Sequence, residues 1–579
     1  MSAPEIPRLD TDILILGAGG AGLFAALHAK QAAPDLEVTI AVKGLLGKCG
    51  CTRMVQGGYN VALAPGDSVE RHFMDTIEGG KWLNDQDLAW LLVTGAQRRI
   101  RELETELGCF FDRNPDGTIH QKAFAGQSFD RTVHKGDLTG IEIINRLMEQ
   151  VLRREVRRLE DHRALELVPA ADGSGLAGVL MLDMRKGEAM LVRTRAVLLA
   201  TGGGPTMYRY HTPSGDKSCD GLAMALRAGL PLRDMEMVQF HPTGLLAGED
   251  TRMTGTVLEE GLRGAGGWLT DRTGKRFMLD YDAKAERATR DIVSRAIIDR
   301  IRKGEASPNG GVFIEMGHLG PATVRRQFKG MVERCADCGF DLAAGRVEVI
   351  PTAHYLMGGV VFRADCTTDM PRLFAAGEDT GGVHGANRLG GNGVANSTVF
   401  GGLAGDSMAG FVAKDKAALP EPDKTALAAA RERAFGGLGG KRGDVNGARR
   451  ALLSLMWDDA GILRSAEGLR RAQAGLVSLS RDIAGMGTGA ADRAFNLTWM
   501  DRLNLENLIL VSRAIVAAAL AREDSRGAHF REDFPETSEL ATSSYTVARL
   551  DGETISTAMA PVRFTRVRPG ESLIQEAAE

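Results

Sequence analysis

The sequence predicts an α/β fold in which a largely parallel sheet is assembled from separated stretches of chain, with a second domain inserted between them and helices after them. Three observations carry this. Residues 11–34 read as strand, tight turn, helix: Asp12-Ile-Leu-Ile-Leu16 is a short apolar run, Gly17-Ala-Gly-Gly-Ala-Gly22 follows, and Leu23 to Ala33 is rich in helix formers, with a second strand at Val38 to Val42. This is the spacing of a βαβ unit with buried parallel strands. Two further apolar runs end in glycine far downstream, one within 176–204 (a hairpin followed by a buried strand ending at Thr201-Gly-Gly-Gly204) and one at Arg372-Leu-Phe-Ala-Ala-Gly-Glu378. From about 411 to 525 Ala, Leu, Arg and Glu recur at helical spacing, which predicts a helical bundle, and after about 535 the chain reads as short strands and loops.

The chain has 579 residues, enough for two to four domains. Its 72 glycines cluster in short motifs rather than a repeat, the pattern expected where backbone approaches a ligand. A net charge of −4 gives no argument for nucleic acid or an anionic membrane surface as partner. No run of about 18 apolar residues occurs, so no membrane insertion is expected. The N-terminal MSAPEIPRLDTD lacks secretory features, and seven cysteines in a chain of this length do not form a disulfide framework. A cytoplasmic location follows, at the inner membrane face if partner subunits hold it there.

Gly17-x-Gly19-x-x-Gly22, with Gly20 beside it, has a direct physical reading. Gly17 allows the tight turn, Gly19 lets a pyrophosphate approach the backbone, and Gly22 lets the helix pack on the strand. The acidic residue expected at the end of the second strand is missing, since the chain reads Ala41-Val42-Lys43. That departure disfavours a simple NAD site, and the two further glycine-rich strand ends favour FAD.

Eight segments, in order along nearly the whole chain, carry a resemblance. They are Gln56-Gly-Gly58, Phe124-Ala-Gly-Gln-Ser128, Gln239-Phe-His-Pro-Thr-Gly244, Glu260-Gly-Leu-Arg-Gly264 and Arg290-Asp-Ile-Val-Ser-Arg295. The others are Pro351-Thr-Ala-His-Tyr-Leu-Met-Gly-Gly359, His384-Gly-Ala-Asn-Arg-Leu-Gly-Gly-Asn392 and Ser525-Arg-Gly-Ala-His-Phe-Arg-Glu-Asp-Phe-Pro535. The chain resembles the flavoprotein subunits of succinate dehydrogenase and fumarate reductase, with L-aspartate oxidase as a relative. The resemblance implies an α/β FAD-binding Rossmann-like domain (1–235 and 351–410), an inserted α+β capping domain (236–350), a helical domain (411–534) and a small C-terminal domain (535–579).

It also implies chemistry. FAD would be held by Gly17, Gly19, Gly20, Gly22, Lys43, Cys51, Thr52, Gly57, Gly58, Thr201, Gly202, Asp220, Glu378 and Asn392. His241, His354 and Arg388 would hold substrate carboxylates, with Glu259 and Phe124 beside them, and Arg388 offers the planar fork that suits a carboxylate. Arg295 would give a proton to carbon, re-supplied through Glu260 and Arg263. The activity implied is interconversion of a small dicarboxylate and its unsaturated form, with electrons passing to an iron–sulfur partner. An amino dicarboxylate oxidase of the L-aspartate oxidase kind is the alternative. Retention of Arg295, His354 and Arg388 argues against a non-catalytic scaffold.

Three positions depart from the family pattern. Cys51 stands where succinate dehydrogenases carry the histidine joined covalently to the flavin, so noncovalent FAD is expected, with a thiolate bond at Cys51 as the other reading. Loss of the link should lower the flavin potential and favour reduction of the double bond. Glu259 stands where the family has threonine, and a carboxylate there would repel a dicarboxylate. Glu259 is then protonated, turned away, or matched to a substrate with a cationic or hydroxyl group. Gly393 replaces a serine expected to touch the flavin. Cys335-Ala-Asp-Cys338 is a lone CxxC with no second pair, so no metal is expected in this chain.

Overall fold

The structure is a computed structural model that describes residues 6–248, 251–415 and 417–574. Its centre is a seven-stranded sheet. Val156–Glu160, Val38–Val42, Arg8–Leu16 and Glu188–Leu199 run parallel in that order, and Leu176–Asp183 and His162–Pro169 continue the sheet antiparallel. The hairpin strand and the buried strand expected separately within 176–201 are one 12-residue strand, Glu188–Leu199. Its first half pairs with Leu176–Asp183, and its last residues pair in parallel with Leu373–Ala375. That pairing returns the distant 372–378 segment to the sheet.

Burial on both faces explains why the last four residues of the first strand, Ile13 to Leu16, are all apolar. Ile13 and Ile15 enter one core, while Leu14 and Leu16 enter the core on the opposite face. The helix Gly20–Ala32 covers the first of these faces and packs against the long helix Asn392–Lys414. Close packing here depends on glycine: a Cβ on Gly22 would lie 2.0 Å from the carbonyl oxygen of Gly17. Gly17 itself has φ +115°, which strains any other residue.

Residues from Val238 to Leu356 form a second unit. Its antiparallel sheet runs Val238–Leu245, Arg346–Leu356, Val312–Glu315, Trp268–Thr270, and helices including Arg290–Arg302 and Lys329–Ala336 cover a separate core. Arg346–Leu356 is continuous through position 350 and carries His354 on the far side of it. The helices Lys424–Phe435, Val445–Asp459, Ala466–Ala484 and Leu497–Ala521 follow. Leu497–Ala521 is long and apolar enough by length and composition to cross a membrane, but most of it is buried among its neighbours as a core helix. The hairpin Ser544–Asp551/Thr554–Pro561 docks on Leu232–Arg233.

Candidate active site

The carboxyl ends of the parallel strands open into a cleft of about 490 Å³ that continues under the inserted unit. This is where open α/β sheets place their ligands. Gly17, Gly19 and Gly20 form its floor at the start of the first helix, and Thr52 reaches in, its hydroxyl accepting from Gly20 N at 3.0 Å. Gly57 and Gly58 line the next stretch, where a Cβ on Gly57 would lie 2.5 Å from the Phe124 ring. Thr201 and Gly202 line the opposite side, where their backbone N–H groups donate to Asp379.

Asp220, at the start of the helix Asp220–Arg227, brings a carboxylate to Lys43 at the end of the second strand. Lys43 Nζ donates to Asp220 Oδ2 and to Ser218 Oγ, each at 2.9 Å, and both Lys43 and Asp220 line the cleft. Burial draws the Lys43 amine below its ordinary value. Burial would raise the Asp220 carboxyl, but Arg163 and Lys43 outweigh desolvation and hold it well below the usual range. Glu378 Oε1 accepts from Gly204 N at 3.2 Å and Leu356 N at 3.1 Å, yet burial still pushes its carboxyl up to about 7. Cys51 also lines the cleft, and burial, with the Glu378 carboxylate next, pushes its thiol up to about 12.

Under the inserted unit the cleft becomes cationic. His241 comes from Val238–Leu245, His354 from the paired strand Arg346–Leu356, and Arg388 from the loop before Asn392–Lys414; all three line the cleft. His241 Nδ1 accepts from Thr243 N at 3.3 Å, which leaves the proton on Nε2. His354 Nδ1 pairs with the Thr212 hydroxyl at 2.7 Å. Burial first, and then Arg290 and neighbouring arginines, hold both imidazoles well below their ordinary value, so both are neutral donors. Arg388 stacks over Tyr355 at 4.6 Å, its Nε has no protein partner among the described residues, and burial draws its guanidinium down to about 10. Gly393 faces this group: a Cβ there would lie 3.2 Å from Arg388 Nη1, so the missing serine side chain borders the arginine.

One assignment needs correction. Arg295 is outside the cleft: its Nη1 donates to Gly527 O at 2.9 Å, its Nη2 pairs with Asp291 at 3.2 Å, and it stacks over Phe530. Arg290, at the first residue of the same helix, is the arginine that lines the cleft. Five residues are roughly 140° around an α-helix, so the two cannot share a face. Arg290 Nε donates to Glu260 Oε2 at 3.1 Å, Nη2 contacts the same oxygen, and Nη1 donates to Gln239 Oε1 at 3.0 Å. Gln239 in turn donates to Arg388 O at 2.7 Å and so ties the two arginines together. Glu260 Oε1 accepts from Arg263 Nη2 at 3.2 Å, with Arg263 fully buried behind it. Burial would raise the Glu260 carboxyl, but Arg290 and Arg263 outweigh it and hold it below the usual range.

Asn392 is a second correction, because its side chain does not face the cleft. Its amide donates to Thr76 Oγ1 at 3.1 Å and its oxygen accepts from Asn60 and pairs with His72, all in the buried interior. Gly22 likewise stands off the cleft and acts through packing alone. Sequence reasoning missed Lys122, which forms an ion pair with Glu259, and Arg334, which lines the cleft and donates to Val257 O at 3.0 Å. Neither lies in a motif, and only the fold brings them to the site.

The FAD binding domain family matches residues 12–394, and the fumarate reductase flavoprotein C-terminal family matches 449–573. The chain is 33% identical over 586 residues to a Mycobacterium tuberculosis protein named fumarate reductase flavoprotein subunit, covering 97% of this chain and 98% of that protein. The chain belongs to the fumarate reductase/succinate dehydrogenase flavoprotein family. A mutant FrdA chain of E. coli quinol fumarate reductase superposes with a TM-score of 0.91 at 31% identity, over 98% of this chain and 99% of that one. An L-aspartate oxidase of Streptomyces coelicolor is 35% identical, over 93% of this chain and 91% of its own length. The protein is therefore an FAD-dependent oxidoreductase acting on CH–CH groups.

The cleft fits that cofactor. Gly17, Gly19 and Gly20 leave the floor with no side chain larger than the Ala18 methyl, and Glu378 places a buried carboxyl along the path. Gly22→Ala is expected to part strand from helix: the purified protein should contain less than about a tenth of the wild-type FAD and melt several degrees lower, by roughly 4 °C or more. Absorbance at the flavin band and a thermal melt check both.

Proposed function

We propose that the cleft interconverts a fumarate-like and a succinate-like dicarboxylate, reducing the double bond as its favoured direction. The observation that carries this reading is the charge at the site. Arg263, Arg290 and Arg388 bring three positive charges against the one of Glu260, leaving two, and a dicarboxylate brings two negative ones. Arg388 and His354 would take one carboxylate and His241 the other, so that the carbons between them lie before Arg290. Bound FAD supplies the hydride. Arg290 would hold and release the proton at the neighbouring carbon, with its guanidinium kept in place by Glu260 and Gln239. Glu260 and Arg263 stand behind it as the path by which that proton is replaced. Phe124 and the inserted unit keep water from the reacting carbons.

Relatives named as flavoprotein subunits support a further subunit bound to this chain, and an iron–sulfur protein is the electron partner proposed for it. The noncovalent attachment of FAD is supported by Cys51, whose thiol stays protonated and is a poor nucleophile. Acid precipitation of the holoprotein is expected to leave a colourless pellet and a yellow supernatant; a yellow pellet would contradict this.

The assay that tests the function compares two activities of one preparation. Anaerobic oxidation of a reduced viologen dye by fumarate is expected, with succinate as product. Hydrogen peroxide release with L-aspartate, without fumarate reduction, would overturn the proposal in favour of the oxidase. Glu259 alone would suit an ammonium group, but Lys122 already pairs with it.

A further inference from the structure

Glu259 presents a problem that the dicarboxylate reading must meet. It lines the cleft, it is buried, and it stands next in sequence to Glu260, in a site that is to receive two more negative charges. Desolvation raises its carboxyl, with the carboxylates of Asp137 and Glu260 adding to the rise, while Lys122 opposes it.

Lys122 belongs to the short strand Gln121–Lys122 of the FAD-binding part, whereas Glu259 belongs to the inserted unit. Its ammonium contacts Glu259 Oε1 and stands over the Phe124 ring, with Nζ 5.7 Å from the centroid. The lysine does not itself line the cleft, whereas the glutamate it pairs with does. Among the described residues no donor reaches Glu259 Oε2. The pair therefore faces the ligand as a neutral unit with one free acceptor oxygen, where a lone carboxylate would repel it.

We propose that Lys122 is a positioning and specificity-determining residue, which cancels the charge of Glu259 and so allows a dianionic substrate into the cleft. The inference rests on the dicarboxylate reading and adds to it the residue that makes Glu259 compatible with it. Removing one member of a buried pair leaves the other uncompensated, whereas removing both does not. That asymmetry separates the charge role from a general contribution to folding.

The test uses the FAD-loaded protein. Succinate and its monomethyl ester are titrated against the flavin absorbance, and KM and kcat are measured with fumarate. Lys122→Met keeps the apolar stem and is expected to weaken succinate binding and raise the fumarate KM about tenfold or more. The monomethyl ester, with one charge fewer, should weaken less, and kcat at saturation should stay within about threefold. Adding Glu259→Thr to Lys122→Met should bring the succinate dissociation constant back to within about threefold of wild type. Lys122→Arg should retain wild-type binding.

Unchanged succinate binding in Lys122→Met would overturn the inference. So would a double variant as weak as the single, or equal losses for succinate and its ester, since each assigns Lys122 a role other than charge compensation. A wild-type protein that neither binds succinate nor reduces fumarate overturns the dicarboxylate reading and the inference with it. Wild-type activity with unresponsive variants overturns the inference alone.

Discussion

Arg290→Gln is expected to lower the fumarate-reduction rate by roughly 10²–10⁴-fold, the usual range for loss of a positioned proton donor. FAD content should change little, and succinate should bind only about tenfold more weakly with one positive charge gone, because Arg388, His241 and His354 remain to hold carboxylates. The larger loss should therefore appear in kcat rather than KM. Arg290→Lys should recover only a small part, as an ammonium cannot contact Glu260 and Gln239 together as the guanidinium does. Arg295→Gln is the matched control. Its contacts with Gly527, Asp291 and Phe530 are outside the cleft, so fumarate turnover should stay within about twofold of wild type. Loss of activity in Arg295→Gln with retention in Arg290→Gln would reverse the assignment.

Arg388→Leu is expected to lower kcat/KM for fumarate by roughly 10²–10³-fold, with most of the effect in substrate binding. Arg388 is buried, stacked on Tyr355, and its Nε has no protein partner among the described residues, which is the arrangement of a group kept for a ligand. Leucine fills part of the space but leaves a carboxylate with no fixed counter-charge. Arg388→Lys should retain a measurable fraction, since charge persists while the planar fork is lost. Titrating succinate against the flavin absorbance in both variants checks the order wild type, lysine, leucine.

Much of the nucleotide-binding part was legible because its signals are local. The Gly17–Gly22 turn, the apolar strand before it and the glycine-ended strand at Leu199 each state their own conformation, and the sheet assembles them as expected. Asp220 was named through the resemblance alone, for a physical reason: no local signal joins it to Lys43, 177 residues earlier in the chain, with which it pairs at 2.9 Å. Arg295 failed for a different one: a motif containing two arginines does not state which faces the cleft, and helical periodicity from Arg290 decides it only once the helix is oriented. Asn392 shows the same limit, since a residue at a helix start can direct its side chain inward while its neighbours Gly391 and Gly393 line the cleft. Glu259 stands out in the sequence, but its partner Lys122 comes from a two-residue strand that no periodicity announces.

The central claim is that this cleft reduces a dicarboxylate double bond with FAD. Single-turnover reoxidation tests it most directly: the holoprotein is reduced photochemically without oxygen and mixed with fumarate in a stopped-flow instrument. The expected result is rapid return of the oxidised flavin band, with one succinate formed per flavin and the same reaction slowed severely in Arg290→Gln. A flavin that stays reduced in the presence of fumarate, in a preparation whose oxidised flavin is bleached by L-aspartate, would contradict it.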